Sequence, residues 1–461
     1  MAKALKVTVI GAGSAQFSLG IVRDLCLTDS LAGSHITFMD IDEERLSMIY
    51  NLGRRYAEQL GSKLTFDKTT NRQAALKDAD FVLSTAYVLG HFVEADMREL
   101  MSKYGYYHGG AGFGSYHQLR LMLDVARDIE KICPKAWLIQ SGNPVFDGCT
   151  MMTRETGVKV IGLCHGHYGY QEIARVIGID PDKVTFEAPG LNHDIWLTKF
   201  IYDGKDAYPL IDKWIATKGE EYWRTHVAQR THDAQMSRAA CHEYHMYGLF
   251  PIGDTVRRGG WWYHTDIVTK KRWFGEPWGG PDTHLGRPFF VKGLEKRIAE
   301  MKAWANDPKA DLVGALGKTK THEQIIPIMD GLVNDNEGYF QVNVPNKGGA
   351  LPGIPENVVV EIPATVNKTG VHPVHVKPLP PKIMFECILP EWLEMERELL
   401  AFKTGDLSIL LYGVLEHHQT KNYDVAVAVL DELLHRPDVR AVEDWEKMEP
   451  ISEYMKYPAK L

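Results

Sequence analysis

The chain has 461 residues, of which 44% are hydrophobic and 24% charged, and its net charge is -8. These values are typical of a folded protein with two domains or one large domain. The scattered and outnumbered Lys and Arg residues exclude a basic nucleic-acid surface, and no apolar run approaches the ~20 residues of a membrane span. We therefore expect a cytoplasmic protein without nucleic-acid or membrane partners, and without a signal peptide, because the first strand begins near residue 6.

The first forty residues have the pattern of a β-α-β unit with a phosphate-binding turn. An apolar β-branched run ends at Gly11 and Gly13, a helical segment covers residues 17–27, and a second apolar run ends at Asp40. Gly11 permits a tight turn and Gly13 lets the backbone approach a pyrophosphate at the helix N-terminus. Asp40 is placed to accept hydrogen bonds from ribose hydroxyls, which favours NAD over NADP.

The turn departs from the usual fingerprint because Gln16 replaces the third glycine, so an ordinary strand-turn-helix remains the alternative. The predicted cofactor-binding residues are Gly11, Gly13, Ser14, Ala15, Gln16, Phe17, Asp40 and Asn143.

Strand-like and helix-like segments alternate over the first 165 residues. Strands are predicted at residues 64–66, 79–86, 136–140 and 158–164, and helices at 42–60 and 118–133. This alternation predicts an α/β fold with a Rossmann-like, doubly wound, mostly parallel sheet. In such sheets ligands bind beyond the carboxyl ends of the strands. The candidate ligand-binding segments are therefore residues 87–91, 141–144 and 164–168.

The second part of the chain has longer helical segments, aromatic loops rich in Gly and Pro, and strand-like alternation at residues 338–349 and 358–363. Residues 388–434 are apolar at helical spacing. We predict two domains: residues 1–192 bind NAD, and residues 193–461 form a mixed α+β domain for substrate, metal and oligomerisation.

Four short motifs carry polar side chains suited to chemistry. They read Ser-Gly-Asn-Pro at 141–144, Cys-His-Gly-His-Tyr-Gly at 164–169, Gly-Leu-Asn-His-Asp at 190–194, and Pro-Ile-Gly-Asp-Thr-Val-Arg at 251–257. A thiolate from Cys164 and an imidazole from His193 could share a divalent metal, with substrate oxygens completing the shell. Spacing alone leaves a buried thiol and a loop histidine as alternatives. The six cysteines contain no C-x-x-C pair, so we expect free thiols.

With these motifs the chain resembles glycoside hydrolase family 4, the NAD- and metal-dependent glycosidases that depart from the two-carboxylate rule. The resemblance extends to segments 10–14, 39–42, 343–346 and 360–361. Segments 164–169, 208–210, 251–257 and 274–280 resemble the α-glucosidase branch, which acts on unphosphorylated sugars. The resemblance also implies a fold similar overall to lactate and malate dehydrogenases.

For the individual residues of this chain, the resemblance implies that Cys164 and His193 bind a divalent metal, typically manganese. It further implies that Asn143 and His165 contact sugar hydroxyls and that Arg257 holds the substrate. The implied reaction is oxidation at the sugar C3 by NAD+, loss of the C2 proton, elimination of the aglycone, addition of water and return of the hydride.

This reaction also requires a base and an acid. Asp254 is the predicted base, with Tyr247 and Tyr263 in reserve. The family usually has an acidic residue in the loop before Gly-Gly, but residues 104–119 contain no carboxylate. We therefore predict His108 or His117 as the leaving-group acid, since histidine titrates near neutrality.

The leading interpretation is an α-glucosidase that uses NAD+ and Mn2+, with a small glycoside as substrate. An α-galactosidase or α-uronidase of the same family is an alternative, because Arg258 or Lys347 near the sugar C5 would favour a carboxylate. From other classes, an NAD-dependent dehydrogenase of the lactate or malate type and an inactive nucleotide-binding sensor remain open. By resemblance we expect a homodimer or homotetramer.

Overall fold

The computed structural model describes residues 4–15, 17–107, 116–229, 235–258 and 260–436. The chain forms two compact units that interleave along the sequence. The first unit contains residues 1–87, 120–164 and 292–376, and the second contains residues 88–119, 165–291 and 377–461. The single boundary between residues 192 and 193 stays a prediction. A search of the described helices for an apolar stretch of membrane-spanning length finds no candidate.

The strands are β1 (Lys6–Ile10), β2 (His35–Met39), β3 (Thr65–Thr69), β4 (Phe81–Ser84), β5 (Trp137–Gln140), β6 (Lys159–Gly162), β7 (Val184–Glu187), β8 (Gly190–Leu191), β9 (Asp194–Leu197), β10 (Lys199–Tyr202), β11 (Lys205–Asp206), β12 (Phe250–Ile252), β13 (Gly338–Pro345), β14 (Val359–Asn367) and β15 (Gly370–Pro373). The helices are α1 (Ser18–Cys26), α2 (Glu43–Gln59), α3 (Arg72–Leu76), α4 (Gly90–Lys103), α5 (Tyr116–Ile132), α6 (Val145–Glu155), α7 (Gly169–Ile177), α8 (Tyr208–Trp214), α9 (Glu220–Thr225), α10 (Arg238–Tyr247), α11 (Thr255–Arg258), α12 (Ile267–Phe274), α13 (Gly286–Asn306), α14 (Leu312–Leu316), α15 (Ile325–Asn334), α16 (Pro381–Ile383), α17 (Leu389–Thr404), α18 (Leu407–Glu416) and α19 (Tyr423–Leu434). Short 3-10 turns cover Asp29–Leu31, Gly166–Tyr168, Pro181–Lys183 and Trp261–Tyr263, and π segments cover Ile215–Gly219 and Met384–Ile388.

The first unit is built on a sheet with strand order β14, β13, β6, β5, β4, β1, β2, β3. Strands β1 to β6 pair in parallel, β13 pairs antiparallel with β6 and β14, and β15 pairs antiparallel with β14. The order 3-2-1-4-5-6 of the parallel strands is that of a doubly wound nucleotide-binding fold. This confirms the predicted fold class.

Strand β1 shows why this sheet is stable. Val7, Thr8 and Val9 are all fully buried, so both faces of the strand are covered, as expected for parallel strands flanked by helices. The buried Thr8 hydroxyl donates to the Ala75 carbonyl at 2.7 Å and so is satisfied. The order in which strands are added to the sheet reverses at β1, which has β2 on one side and β4 on the other, and the carboxyl ends of β1 and β4 therefore mark the expected ligand crevice.

The second unit combines two small antiparallel groups of strands with helices. Strands β8, β9 and β12 form one group, and β7, β10 and β11 form the other. One core gathers buried side chains from these strands and from α7, α8 and α10, including Ile173, Ile195, Phe200, Cys241 and Phe250. A second core joins α4 to α18 and α19. Helices α17 to α19 confirm the helical pattern predicted for residues 388–434.

Candidate active site and cofactor-binding turn

The turn after β1 has a geometry that requires its two glycines. Gly11 has φ +80°, and a Cβ placed there would lie 2.5 Å from the backbone nitrogen of Ala86, just beyond β4. A Cβ on Gly13 would lie 2.9 Å from the Asp40 carboxylate. The N–H groups of Gly11 and Ala12 both donate to the Met39 carbonyl at 3.0 Å. The glycines thus let the turn lie flat against the ends of β2 and β4.

Asp40 is held in place by the backbone around it. One carboxylate oxygen accepts the Gly13 N–H at 2.7 Å, and the other accepts the Asp42 N–H at 2.9 Å. A carboxylate has about four acceptor positions, so capacity remains for hydroxyl donors. Asp40 is therefore oriented at the end of β2, as a ribose-binding acid requires.

The remaining residues of the turn lead into α1. The Ser14 N–H donates to the Gly11 carbonyl at 3.1 Å, and the Ser14 hydroxyl accepts from the Phe17 N–H at 3.4 Å. Helix α1 begins at Ser18, so its N-terminal N–H groups follow the turn directly. Ala15 lies in the turn, whereas Gln16 is outside the described residues.

Asn143 and Cys164 follow neighbouring parallel strands of the first unit. Asn143 is exposed between β5 and α6, and Cys164 is half-buried two residues after β6. Strands β5 and β6 pair in parallel, with Gln140 opposite Gly162. The two residues therefore lie at the carboxyl edge of the sheet, as the sequence predicted.

In the second unit, His193 lies in the turn between β8 and β9 with φ +70°. Its Nε2 atom is 3.2 Å from a carboxylate oxygen of Asp254, which precedes α11. The hydroxyl of Thr255 explains this proximity, because it accepts the Ile195 N–H at 2.7 Å and donates to the Ile195 carbonyl at 3.0 Å. The start of α11 is thus fixed against β9, which follows His193.

Asp254 also pairs with Arg257, one helical turn later, and Arg257 pairs in addition with Asp282. The Arg257 side chain is 15% exposed, so its guanidinium is largely enclosed between two carboxylates. We call His193, Asp254, Arg257 and Asp282 the Arg257 network. Charge-assisted pairs of this kind fix the geometry of both partners.

His165 belongs to a segment that packs against the same region. A Cβ on Gly253, which has φ +62°, would lie 2.3 Å from the Cα atom of Gly166. The segments that carry His165 and Asp254 are therefore in backbone contact. His165 itself is exposed. The second unit thus brings together three of the predicted substrate or catalytic residues, namely His165, Asp254 and Arg257, with the predicted metal ligand His193.

The other predicted acids and bases lie in surroundings that are less favourable for proton transfer. His117 is 4% exposed, and burial lowers its pKa to about 4. Tyr247 and Tyr263 have pKa values raised primarily by burial, which makes them poor bases, and the Tyr263 hydroxyl is 2.6 Å from Nδ1 of His242. His108 lies outside the described residues. The base and acid assignments stay predictions.

Two family models match the chain. The model described as "Family 4 glycosyl hydrolase" matches residues 6–179, and the model described as "Family 4 glycosyl hydrolase C-terminal domain" matches residues 188–420. The chain belongs to family 4 of the glycosyl hydrolases. The resemblance noted from the motifs is thereby confirmed, and the protein is a family 4 glycosidase.

Relatives with different sugar names share this family. An alpha-glucosidase from Erwinia rhapontici is 28% identical over 82% of this chain and 86% of its own length. An alpha-galactosidase from Bacillus subtilis is 31% identical over 45% of this chain and 50% of its own length. An alpha-galacturonidase from Lachnoclostridium phytofermentans is 23% identical over 88% of this chain and 90% of its own length.

Solved structures agree with the fold. A 6-phospho-alpha-glucosidase from gut microorganisms, solved in complex with NAD and Mn2+, has a TM-score of 0.76 at 18% identity, with 97% of this chain and 99% of that chain covered. A lactate dehydrogenase from Eimeria maxima has a TM-score of 0.50 at 14% identity, with 91% of this chain and 98% of that chain covered. Both comparisons concern the fold alone.

Three charged side chains with distinctive surroundings were not predicted from the sequence of this family 4 chain. Asp282 completes the Arg257 network, and its only sequence signal is its place after the aromatic Gly-Gly-Pro loop. Burial would raise the pKa of Glu94, but the hydrogen bond from His91 and the charges of Arg287 and Arg98 outweigh it and lower the pKa to about 2. Lys270 is buried, which its helical spacing did not reveal.

Proposed function

We propose that this family 4 glycosidase cleaves unphosphorylated α-glucosides and depends on NAD+ and a divalent metal, Mn2+ by family resemblance. The relative named alpha-glucosidase, which matches 82% of the chain, supports glucose as the sugar of the substrate. The Cys-His-Gly segment at 164–166 supports it as well. The names of other relatives make α-galactosides and α-galacturonides the alternatives to be tested.

The turn after β1 fits a dinucleotide. Gly11 and Gly13 leave room where a Cβ would collide, and Asp40 is oriented by two backbone N–H groups. Asp40 would bind the ribose hydroxyls, and the first turn of α1 would face the pyrophosphate. NAD+ rather than NADP+ is favoured because a phosphate on the ribose would meet the Asp40 carboxylate.

Cys164 and His193 are the proposed metal ligands, on the strength of the family resemblance and of their donor types. Among the described residues, no group of three or more His, Cys, Asp or Glu side chains has the arrangement of a metal site. A protein that supplies two ligands leaves positions for substrate oxygens. His193 has its Nε2 beside a carboxylate, so nitrogen and oxygen donors are adjacent there.

The observation that carries the mechanism is the 3.2 Å contact between His193 and Asp254. It brings the predicted base next to a predicted metal ligand, where a substrate C2 proton would be removed. When bound, NAD+ supplies a hydride acceptor for C3, and the metal supplies a Lewis acid for the C2 and C3 oxygens. The ion pair with Arg257 would hold the Asp254 carboxylate in place for this role. Asn143 and His165 are exposed and would contact sugar hydroxyls.

The experiment is release of p-nitrophenol from the α-glucoside under reducing conditions, with and without NAD+ and Mn2+. The wild type is compared with Cys164→Ser, and Cys26→Ser is the matched control because Cys26 is also half-buried but lies at the end of α1. We expect activity that requires both additions, falls by orders of magnitude in Cys164→Ser and persists in Cys26→Ser.

Cleavage assays with an α-galactoside and an α-galacturonide then test which sugar the enzyme accepts. If no α-glycoside is cleaved while NADH accumulates with a sugar or hydroxy acid, the redox-elimination proposal is wrong and a dehydrogenase takes its place. Assembly into a homodimer or homotetramer stays a prediction that sedimentation of the same preparation checks.

A further inference from the structure

Two buried amide side chains lie in one row across the sheet of the first unit. Gln140 ends β5 and Asn343 lies in β13, and each is paired in register with Gly162, the last residue of β6. Gln140 is 0% exposed and Asn343 is 1% exposed. Asn143 follows Gln140 by three positions, and Cys164 follows Gly162 by two. The row therefore lies directly before two of the predicted site residues.

The nitrogen of Gln140 holds the main chain that leads into Asn143. Its Nε2 atom donates to the carbonyl of Gly142 at 2.8 Å. The carbonyl of Gln140 itself accepts the N–H of Leu163 at 2.9 Å, which joins β5 to the end of β6. Gln140 thus ties down the segment after β5 with its side chain and the segment after β6 with its main chain.

The nitrogen of Asn343 holds the end of β6 from the other side. Its Nδ2 atom donates to the carbonyl of Gly162 at 3.5 Å and to the carboxylate of Glu361 on β14 at 3.3 Å. Asn343 and Glu361 are opposite each other in the register of β13 and β14. The strand end that leads into Cys164 is therefore joined to β13 by a side chain.

Close packing at Gly162 reinforces these hydrogen bonds. A Cβ placed there would lie 2.8 Å from the Cβ atom of Asn343 and 2.6 Å from a methyl carbon of Val145. Val145 begins α6 and follows Asn143 by two positions. Strands β6 and β13 and the first turn of α6 thus meet at Gly162 without a side chain between them.

The orientation of the two amides leaves their oxygens buried. Gln140 Oε1 and Asn343 Oδ1 find no hydrogen-bond partner among the residues that the structure describes. Rotating either amide by 180° would bring its oxygen against the carbonyl that its nitrogen now contacts, so the present orientation is the better one. A buried oxygen without a donor lowers stability, and an apolar side chain of similar size would avoid this cost. Stability alone therefore does not explain these amides.

Asn346, three positions after Asn343, shows what a purely structural amide looks like in the same region. It is 0% exposed, and its Nδ2 donates to the carbonyls of Leu351 and Ile354 at 2.9 and 2.7 Å. Its Oδ1 accepts the N–H of Leu351 at 2.8 Å. All of its bonds stay within the turn after β13, away from β6.

We propose that Gln140 and Asn343 are positioning residues of the active site. Gln140 sets the place of Asn143 through the Gly142 carbonyl, and Asn343 sets the place of Cys164 through the end of β6. This inference rests on the proposed function, in which Asn143 binds NAD+ or sugar and Cys164 binds the metal. The alternative is two buried amides that serve packing alone.

The test uses the full-length protein and two ligands measured without turnover. Titration with Co2+ in anaerobic buffer without added thiol is followed by thiolate-to-cobalt charge-transfer absorption, and Cys164→Ser shows which part of it comes from Cys164. Calorimetric titration gives the Kd of NAD+. The variants are Asn343→Leu and Gln140→Met, which keep the size of the side chain and lose its donor. Asn346→Leu is the matched control.

We expect Asn343→Leu to weaken Co2+ binding about 10- to 100-fold, the range found when partners of metal ligands are removed, and to reduce the charge-transfer absorption. Gln140→Met should weaken NAD+ binding about three- to tenfold, as for the loss of one hydrogen bond. Each variant should change the other ligand less, and Asn346→Leu should change neither. Loss of packing alone would instead weaken both ligands to the same extent.

Each outcome decides the inference. Unchanged affinities in both variants, equal losses of both ligands, or similar losses in Asn346→Leu overturn it while the wild-type absorption upholds Cys164 as a metal ligand. A wild type without thiolate-to-cobalt absorption shows that the proposed metal site is wrong, and the role of Asn343 falls with it. If only one variant loses its ligand, the inference holds for that residue and is wrong for the other. Thermal unfolding shows whether each variant is folded, and Asn343→Thr, Gln140→Leu and Asn346→Ser replace any that is not.

Discussion

Replacing Gly11 with alanine tests the cofactor turn at the position where the structure leaves least room. At φ +80° an alanine costs about 1–2 kcal/mol relative to a right-handed conformation. The new Cβ would also lie 2.5 Å and 2.6 Å from the backbone N and Cα of Ala86, and relieving such overpacking costs roughly 1–3 kcal/mol. We therefore expect Gly11→Ala to lower the free energy of unfolding by roughly 2–5 kcal/mol.

Gly33→Ala is the matched control for this variant. Gly33 has φ +84°, but the nearest atom to its added Cβ is 4.0 Å away, so only the backbone cost of about 1–2 kcal/mol applies. The effect of alanine on the unfolded chain is the same in both variants and cancels in their difference.

Urea unfolding with and without NAD+ measures both parts of this prediction. At 100 times its Kd, NAD+ should stabilise the wild type and Gly33→Ala by about 2.7 kcal/mol, and this gain should vanish in Gly11→Ala. Equal stability losses in the two variants, together with unchanged stabilisation of Gly11→Ala by NAD+, would refute the assignment of this turn as the cofactor site.

Three further predictions concern the cofactor, the base and the metal. Asp40→Asn should weaken NAD+ binding about tenfold or more and reduce discrimination against NADP+ in titrations, because a charged acceptor is lost. Asp42→Asn, which alters the cap of α2 and the ion pair of Asp42 with Arg45, should leave that ratio unchanged. Asp254→Asn should lower kcat at least about 100-fold and slow exchange of the substrate C2 proton with solvent, whereas Asp282→Asn, which changes the other partner of Arg257, should lower kcat less. A similar loss in both would assign Asp254 to positioning Arg257. Chelation by EDTA should abolish turnover without changing the Kd of NAD+, and added Mn2+ should restore turnover; activity that survives dialysis against EDTA would contradict the metal requirement.

The fold could be predicted because its information is local. The alternation of apolar runs and amphipathic segments gave β4 at residues 79–86 and α2 at residues 42–60, where the structure has Phe81–Ser84 and Glu43–Gln59. Helix α2 begins where Asp42 accepts the Arg45 N–H, a signal visible in the sequence. The interleaving of two compact units could not be predicted, since it depends on contacts between segments hundreds of residues apart.

The positions of Gly11, Asp40 and Cys164 just after strands could be predicted, because strand ends are visible in the sequence, and their roles stay predictions. Ion pairs between distant parts of the chain could not be predicted. Asp282 joins Arg257 from 25 positions away, and no periodic pattern links the two. The sequence identifies the charged residues, but which of them form ion pairs is determined by how the folded chain packs.

The predicted role of His117 illustrates the same limit for proton transfer. Histidine titrates near pH 6.5 in water, which is why the sequence favoured it as the leaving-group acid. In the folded chain burial lowers its pKa to about 4, so that only ~0.1% of the side chain is protonated at pH 7. Protonating His117 at pH 7 therefore costs about 4 kcal/mol. A side chain that is so rarely protonated loses most of the rate advantage of general acid catalysis. The identity of an acid is thus decided by the surroundings of a side chain, and in this chain those surroundings favour a neutral His117.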